Sequence, residues 1–243
     1  MTKPLPTWDE LAPWWRATFA GGADLEYERQ ILPLCAGQLR GCRRILDLGT
    51  GEGQLARLLA SNGGEACVVV GVDTSPAQLE GAAEQGGSPR YVRAAGEALP
   101  FEGGAFEGVV CCLVVEHVDD ADLVLSEAAR VLAPGGRFVL VVNHPAVQGP
   151  GSGLVDDAVT DERYWRVGPY LKEVSVVEEV DPGVRVRFRH RPLSRYVNPL
   201  CEQGLVLTRI EEPAPPLEFL AGSVDLDLEA SMPRLCLLRF ERR

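Results

Sequence analysis

The stretch Ile45-Leu46-Asp47-Leu48-Gly49-Thr50-Gly51-Glu52-Gly53-Gln54-Leu55 decides the fold. Its first four residues, three of them apolar, read as a short buried strand. Gly49 to Gly53 make a glycine-rich turn, in which glycine lets the backbone adopt positive φ and lets a ligand lie against bare peptide. Residues 54–60 then place Leu55, Leu58 and Leu59 at helical spacing. Strand, glycine turn and helix form the first unit of a parallel sheet covered by helices.

The same rhythm continues on the C-terminal side. Residues 67–72 form a second apolar strand ending at Asp73, and Thr74-Ser75-Pro76 opens a helix with a hydroxyl cap and a proline in the first turn. Strands are predicted at 91–94, 108–115 and 138–142, with an amphipathic helix over 119–132 closed by Pro134-Gly135-Gly136. On the N-terminal side, residues 8–40 read as two helices. Trp8, Leu11, Trp14 or Trp15, and Phe19 fall at helical spacing before a break at Gly21-Gly22. After His144-Pro145 the pattern loosens into a loop at 149–153 and a helical or irregular segment holding Tyr164, Trp165 and Tyr170. Strands at 174–180 and 184–190 are joined by the turn residues Asp181-Pro182-Gly183. A helix at 193–203 and strands at 205–210 and 235–240 complete the chain. The expected fold is α/β, a doubly wound seven-stranded mostly parallel sheet with N-terminal lid helices and an insertion after strand five.

The 243 residues suit a single domain, divided as lid 1–42, core 43–142, insertion 143–192 and the C-terminal part of the sheet 193–243. A formal net charge of −11 argues against a nucleic-acid partner, which would call for a basic face. No apolar run reaches the ~18 residues of a membrane span, and no secretory signal is visible, so a cytoplasmic protein is expected. The seven cysteines lie mostly in apolar runs with no C-x-x-C and no cysteine/histidine cluster, so no metal is expected. The one basic run, Arg185, Arg187, Arg189, His190, Arg191 and Arg195, reads either as the solvated face of a strand or as an anion-recognising patch.

The glycine turn narrows the ligand. A dinucleotide fold uses G-x-G-x-x-G with pyrophosphate on the helix N-terminus. Its third glycine would fall at Gln54, and the spacing here is G-x-G-x-G. Asp47, just before the turn, would repel a pyrophosphate and attract an ammonium or sulfonium. S-adenosylmethionine carries both and has no phosphate. Asp73 has the acceptors to bind both ribose hydroxyls. Nicotinamide enzymes use an acid in the same way, and a plain helix cap is the structural alternative.

The arrangement resembles the class I S-adenosylmethionine-dependent methyltransferases, in the small-molecule branch of the ubiquinone and menaquinone biosynthesis enzymes. The likeness runs through Ile45 to Leu55, Val70-Gly71-Val72-Asp73-Thr74-Ser75, Ala98-Leu99-Pro100-Phe101, Glu116-His117-Val118 and the segment from Glu127 to Phe138. It continues through the segment from His190 to Tyr196, then Gly204 to Leu207 and Glu211-Glu212-Pro213. The resemblance implies that Asp47, Gly49, Gly51 and Gly53, with Thr50 in the same turn, hold the methionine half. Asp73 would take the ribose, Thr74 would flank the adenine, Glu97-Ala98-Leu99 would form the adenine edge, and Cys112 would lie under the cofactor. The N-terminal aromatics Trp8, Trp14, Trp15, Phe19 and Tyr27 would close as a lid. The family has an acid where this chain has Ala95. The implied reaction is methyl transfer from S-adenosylmethionine to an oxygen, nitrogen or carbon of a small-molecule acceptor. The alternatives are a cofactor-binding protein without transfer (a cyclase or regulatory module), a protein-modifying methyltransferase, and a nicotinamide oxidoreductase, which Gln54 argues against. A homodimer is one open arrangement.

Ligand crevices in such sheets lie at the carboxyl ends of the strands. The chain's three histidines, His117, His144 and His190, all fall near such ends. Each is a candidate general base, and each has a structural alternative as a packed or hydrogen-bonded core histidine. Arg166 and Arg195 are candidates to recognise a carboxylate or phosphate on the acceptor, against a solvated role.

Overall fold

The computed structural model describes residues 4–19 and 24–243; the expected break at Gly21-Gly22 lies outside them. Helix α1 (Trp8–Phe19) is followed by a π-helical turn (Tyr27–Ile31) that runs into α2 (Leu32–Gln38). The core then alternates: β1 (Arg44–Leu48), α3 (Gln54–Gly63), β2 (Val68–Asp73), α4 (Pro76–Glu84), β3 (Arg90–Arg93), β4 (Phe106–Cys112), α5 (Ala121–Val131) and β5 (Leu132–Asn143). Two separate hairpins follow, β6 (Gly153–Asp157) with β7 (Glu162–Arg166), and β8 (Val174–Asp181) with β9 (Val184–His190). Helix α6 (Ser194–Glu202), β10 (Leu205–Glu211), α7 (Leu226–Ala230) and β11 (Leu235–Arg242) end the chain.

The seven-stranded sheet has the order β3-β2-β1-β4-β5-β11-β10. Strands β1 to β5 pair in parallel, and β11 runs antiparallel to both its neighbours. Successive residues of a strand point to opposite faces, and here both faces are buried. Leu46, Val109, Cys111, Phe138 and Leu140 pack beneath Val124, Leu125 and Ala128 of α5 and Leu200 of α6. Ile45, Val69, Val110, Val139 and Val141 pack beneath Cys35 and Leu39 and beneath Leu55 and Leu59 of α3. That two-sided burial explains why the strands read as continuous apolar runs rather than alternating ones. The chain leaves β1 towards β2 on one side, and β4 leads to β5 on the other. Their shared C-terminal end is therefore the topological switch point where a crevice must open.

The helix starts follow the sequence. Ser75 accepts from the Gln78 N–H ahead of α4, and Asp120 accepts from the Leu123 N–H at 3.0 Å ahead of α5. Four regions differ from expectation, the first being β5, which begins at Leu132 and takes in Pro134-Gly135-Gly136. The fourth strand stops at Cys112, because Leu113 turns out of it with φ +56°. The segment holding Tyr164 and Trp165 is the hairpin β6–β7. Its turn is made by Asp157, which accepts from the Val159 N–H at 2.9 Å, and by Asp161 at φ +59°, so no glycine marks it. Helix α7, capped by Asp225, had no separate sequence signal.

The loop between β4 and α5 is held from several sides. Glu116 is buried and accepts from the Asn143 backbone N–H at 2.7 Å and its side-chain amide at 3.1 Å, tying the ends of β4 and β5 together. Arg191 donates to the Val115, Val118 and Asp119 carbonyls at 2.8, 3.1 and 3.2 Å. The Arg189 N–H donates to the Glu116 carbonyl at 2.7 Å, and its guanidinium pairs with Asp119. Burial pushes the Glu116 carboxyl up to about 8, against the bonds from Asn143 and the field of Arg191.

Two outcomes follow. Leu140→Ala removes a fully buried side chain from the centre of the sheet and should cost about 2–5 kcal/mol in denaturant unfolding. Glu116 keeps its proton in the folded protein up to about pH 8 but loses it near the ordinary value of 4.5 when unfolded. The folded state thus binds the extra proton between those values, and stability falls as pH rises through that window. In Glu116→Gln, unfolding free energy should decline less steeply over the same range; equal slopes would show that Glu116 ionises normally.

Candidate active site

The turn after β1 is shaped by what surrounds it. Gly49 (φ +73°) and Thr50 both donate their N–H to the Val72 carbonyl, at 2.8 and 2.9 Å. A Cβ on Gly49 would run into the methyl groups of Val114, and one on Gly53 (φ +72°) would run into the hydroxyl of Tyr91. Both positions therefore demand glycine twice over, for backbone conformation and for space. Asp47 is buried beneath the turn and accepts from the Thr50 hydroxyl at 2.7 Å. Burial raises its carboxyl to about 6 despite that bond.

Above the turn lies a crevice of about 280 Å³, at the C-terminal ends of β1, β2 and β4. Gly49, Thr50, Gly51, Asp73, Thr74, Glu97, Cys112 and His117 line it together. Asp47, Gly53 and Ala98 do not reach its wall; the first two support the turn from behind. Asp73 accepts from the Gly51 N–H and the Ser75 N–H, each at 2.9 Å, leaving acceptor capacity towards the crevice. Desolvation raises its carboxyl above the ordinary range. At the position of the missing family acid, Ala95 is flanked on the wall by Ala94, Gly96 and Glu97. Cys112, the last residue of β4, has its sulfur 4.0 Å from that of Cys35, and this contact and burial raise its thiol well above the usual range.

Helix α1 closes one side, with Trp8 and Trp15 on the wall beside Tyr27. It is attached by buried Leu11 and Ala12 and by polar contacts. Asp9 accepts from the Ser75 hydroxyl at 2.5 Å, Arg16 pairs with buried Glu52, and the Trp14 indole donates to Asp181 at 3.0 Å.

The three histidines are placed apart. His117 lies on the crevice wall, its ring 5.0 Å from that of Trp8 and 4.9 Å from that of Phe188. Its Nδ1 faces the Arg187 carbonyl at 3.0 Å. A carbonyl only accepts, so Nδ1 carries the proton and Nε2 keeps a free lone pair. Burial, the largest effect, lowers its pKa below the histidine norm of 6.5, which favours the neutral ring. His144 is committed at both nitrogens: Nε2 lies 2.7 Å from the Glu212 carboxylate, and Nδ1 accepts from the Ala146 N–H at 3.3 Å. His190 donates from Nε2 to the Tyr170 carbonyl at 2.7 Å and lines a separate cavity of about 210 Å³ with Glu116, Gln148 and Arg234. The structure thus brings one of the three to the crevice.

Sequence reasoning gave no role to Val114 or Asp119, and it read the arginines that pin the β4–α5 loop as a solvated strand face or an anion-recognising patch. The alternation Arg185, Arg187, Arg189 was the available signal. Arg189 turns inward to the loop, so the strand is not simply a solvated face. Arg195 pairs with Asp122 and Glu173, and Arg166 donates to the Gly151 carbonyl.

Residues 46–140 match the family model described as a methyltransferase domain. A demethylmenaquinone methyltransferase from Thermus thermophilus is 38% identical over 138 residues, 55% of this chain and 61% of that protein. A ubiquinone/menaquinone biosynthesis C-methyltransferase from Serratia proteamaculans is 36% identical over 113 residues, 44% of this chain and 45% of that protein. The chain spans about half the length of these curated relatives. The crystal structure of an S-adenosylmethionine dependent methyltransferase from Mesorhizobium loti superposes with a TM-score of 0.72 at 27% identity, covering 90% of this chain and 98% of that one. Sheet order, glycine turn and crevice agree with these likenesses: residues 46–140 match a methyltransferase domain, and the fold as a whole is similar to that of an S-adenosylmethionine dependent methyltransferase.

Proposed function

We propose that the protein methylates a small hydroxyl-bearing acceptor, with S-adenosylmethionine held in the crevice and His117 as general base. The observation that carries this reading is the free Nε2 of His117 on the crevice wall, with its tautomer set by the Arg187 carbonyl.

The crevice fits the cofactor by charge. Its described wall holds Glu52, Asp73, Glu97 and Asp119 and no lysine or arginine. Such a wall suits a cationic ligand without phosphate and disfavours the pyrophosphate of a dinucleotide. Asp73 would hold the ribose, Glu97 and the neighbouring backbone the adenine, and the turn from Gly49 to Gly51 the amino-acid end. Trp8, Trp15 and Tyr27 would cover the sulfonium side, where aromatic faces stabilise a cation. Bound there, S-adenosylmethionine supplies a methyl group on a positively charged sulfur, poised for in-line displacement.

His117 takes the proton from the acceptor hydroxyl at Nε2 and becomes an imidazolium, steadied by the bond from Nδ1 to the Arg187 carbonyl. This makes the oxygen, or an adjacent carbon of enolic character, nucleophilic. Helix α1 excludes water from that face. The names of the two quinone-biosynthesis relatives support a small-molecule acceptor. All seven cysteines are free, which supports a reducing compartment such as the cytoplasm. No helix of the described residues is long and apolar enough to cross a membrane.

Calorimetry should show S-adenosylmethionine and S-adenosylhomocysteine binding at roughly micromolar affinity, weakened at least about tenfold in Asp73→Ala, which loses charge-assisted bonds to the ribose. Failure of both ligands to bind would sink the reading. His117→Gln should keep cofactor binding but lower turnover by roughly two to four orders of magnitude. In the wild type, turnover should hold level to below pH 6.5, because burial lowers the pKa of the base. A decline starting above that value would assign the proton to another group.

A further inference from the structure

A second cavity, of about 360 Å³, adjoins the cofactor crevice. The N-terminal residues Leu5, Pro6 and Leu11 wall one side, and Val186, Arg187 and Arg189 of β9 wall the other. Trp8, His117 and Asp119 belong to both cavities, so His117 stands at their boundary. The two differ in charge. The crevice is walled by acids without a cation, and the neighbour by two arginines and a single acid.

The balance in the second cavity is not neutral. Asp119 is engaged by Arg189, which also donates to the His117 carbonyl at 3.3 Å. Arg187 is different. Its backbone carbonyl fixes the His117 tautomer, yet its guanidinium makes no hydrogen bond or ion pair among the described residues. Opposite it across the hairpin stands Val177, whereas Arg185 stands opposite Glu179. In a chain of net charge −11, an exposed arginine that lines a cavity without a partner for its guanidinium among the described residues is open to an anion. The remainder of the wall is flat or apolar: Trp8 and His117 contribute ring surface, and Leu11 and Val186 are buried.

We infer that this second cavity holds the acceptor, and that the acceptor is an aromatic hydroxy acid whose carboxylate meets Arg187 while its hydroxyl meets His117. This rests on the methyl-transfer reading and names the substrate class of that same site. The volume is in the range of small-molecule sites. Arginine binds a carboxylate through two parallel N–H bonds, which orients a planar acid as well as holding it. Base and anchor are joined through residue 187, whose backbone carbonyl holds the His117 ring and whose side chain would meet the carboxylate. The opposite charges of the two cavities also keep ligands apart: a sulfonium is drawn to the acidic crevice and an acid to the basic one.

The test titrates the S-adenosylhomocysteine-loaded protein with the isomeric hydroxybenzoates and, in parallel, the matching hydroxybenzamides. At least one hydroxybenzoate should bind on the order of tenfold more tightly than its amide, the size of one charge-assisted contact. Arg187→Gln should abolish that preference, Arg187→Lys should keep part of it, and S-adenosylhomocysteine should bind both variants as it binds the wild type. The inference is overturned if no hydroxybenzoate binds, if amides bind as well as acids, or if the preference survives Arg187→Gln. Failure of S-adenosylhomocysteine to bind the wild type overturns the methyl-transfer reading and this inference with it. Normal binding without an Arg187-dependent preference overturns this inference alone.

Discussion

Gly49 has room for a hydrogen and nothing more, because Val114 fills the space where a side chain would begin. That contact joins the turn after β1 to the turn after β4 at the point where the chain's path across the sheet reverses. Two sides of the crevice are formed by these turns. The first lines the crevice with the backbone of Gly49, Thr50 and Gly51, and the second carries His117 and Asp119. Leu113, held at φ +56°, lets β4 stop short and fold Val114 back over Gly49. A leucine adopts that conformation only when its surroundings enforce it. Here the Leu113 N–H donates to the Val141 carbonyl at 2.9 Å, and the His117 N–H closes a turn onto the Val114 carbonyl.

Around these turns, carboxylates and guanidiniums divide the labour. Asp47, Asp73 and Glu116 are all shifted upward by burial, the largest influence on each. Two of them hold backbone: Asp73 takes the Gly51 N–H, and Glu116 takes Asn143. Asp47 steadies Thr50. Arg189 of β9 and Arg191 just after it do the complementary work by meeting carbonyls that the short loop after β4 leaves without partners in the sheet. Buried carbonyls without donors are costly, so these side chains substitute for missing secondary structure. The β8–β9 hairpin, outside the main sheet, thereby fixes the residue best placed to move a proton.

Much of this was legible in the sequence. Residues 45–55 gave strand, turn and helix because glycine spacing and apolar period report local geometry directly. The order of the core followed because βα units leave few topologies. The acceptor side was less legible for a physical reason. The turn between β6 and β7 is built by Asp157 and Asp161, and aspartate in a turn carries no mark that separates it from a surface residue. The strand face of Arg185, Arg187 and Arg189 looked uniform, yet only Arg189 turns inward to the loop. What separates them is the position of Asp119, brought near by the tertiary fold and not by sequence spacing.

The histidines show the same limit in sharper form. In sequence, His117, His144 and His190 are equivalent: each falls at or near the end of a strand. A histidine can serve as a base only if one nitrogen is free while the other is held, and that depends on partners far away in the chain. Glu212 and the Ala146 N–H occupy both nitrogens of His144, which makes it a brace between β5 and the loop after β10. Tyr170 holds one nitrogen of His190, but its ring faces a polar cavity away from the crevice wall. His117 alone combines a held Nδ1, a free Nε2 and a place on the wall that both cavities share. The residue holding it is Arg187, so the strand that completes the base also carries the charge facing the second cavity. On the proposed reading, proton acceptance and acceptor orientation would both depend on β9, and a shift in that strand would disturb the two together.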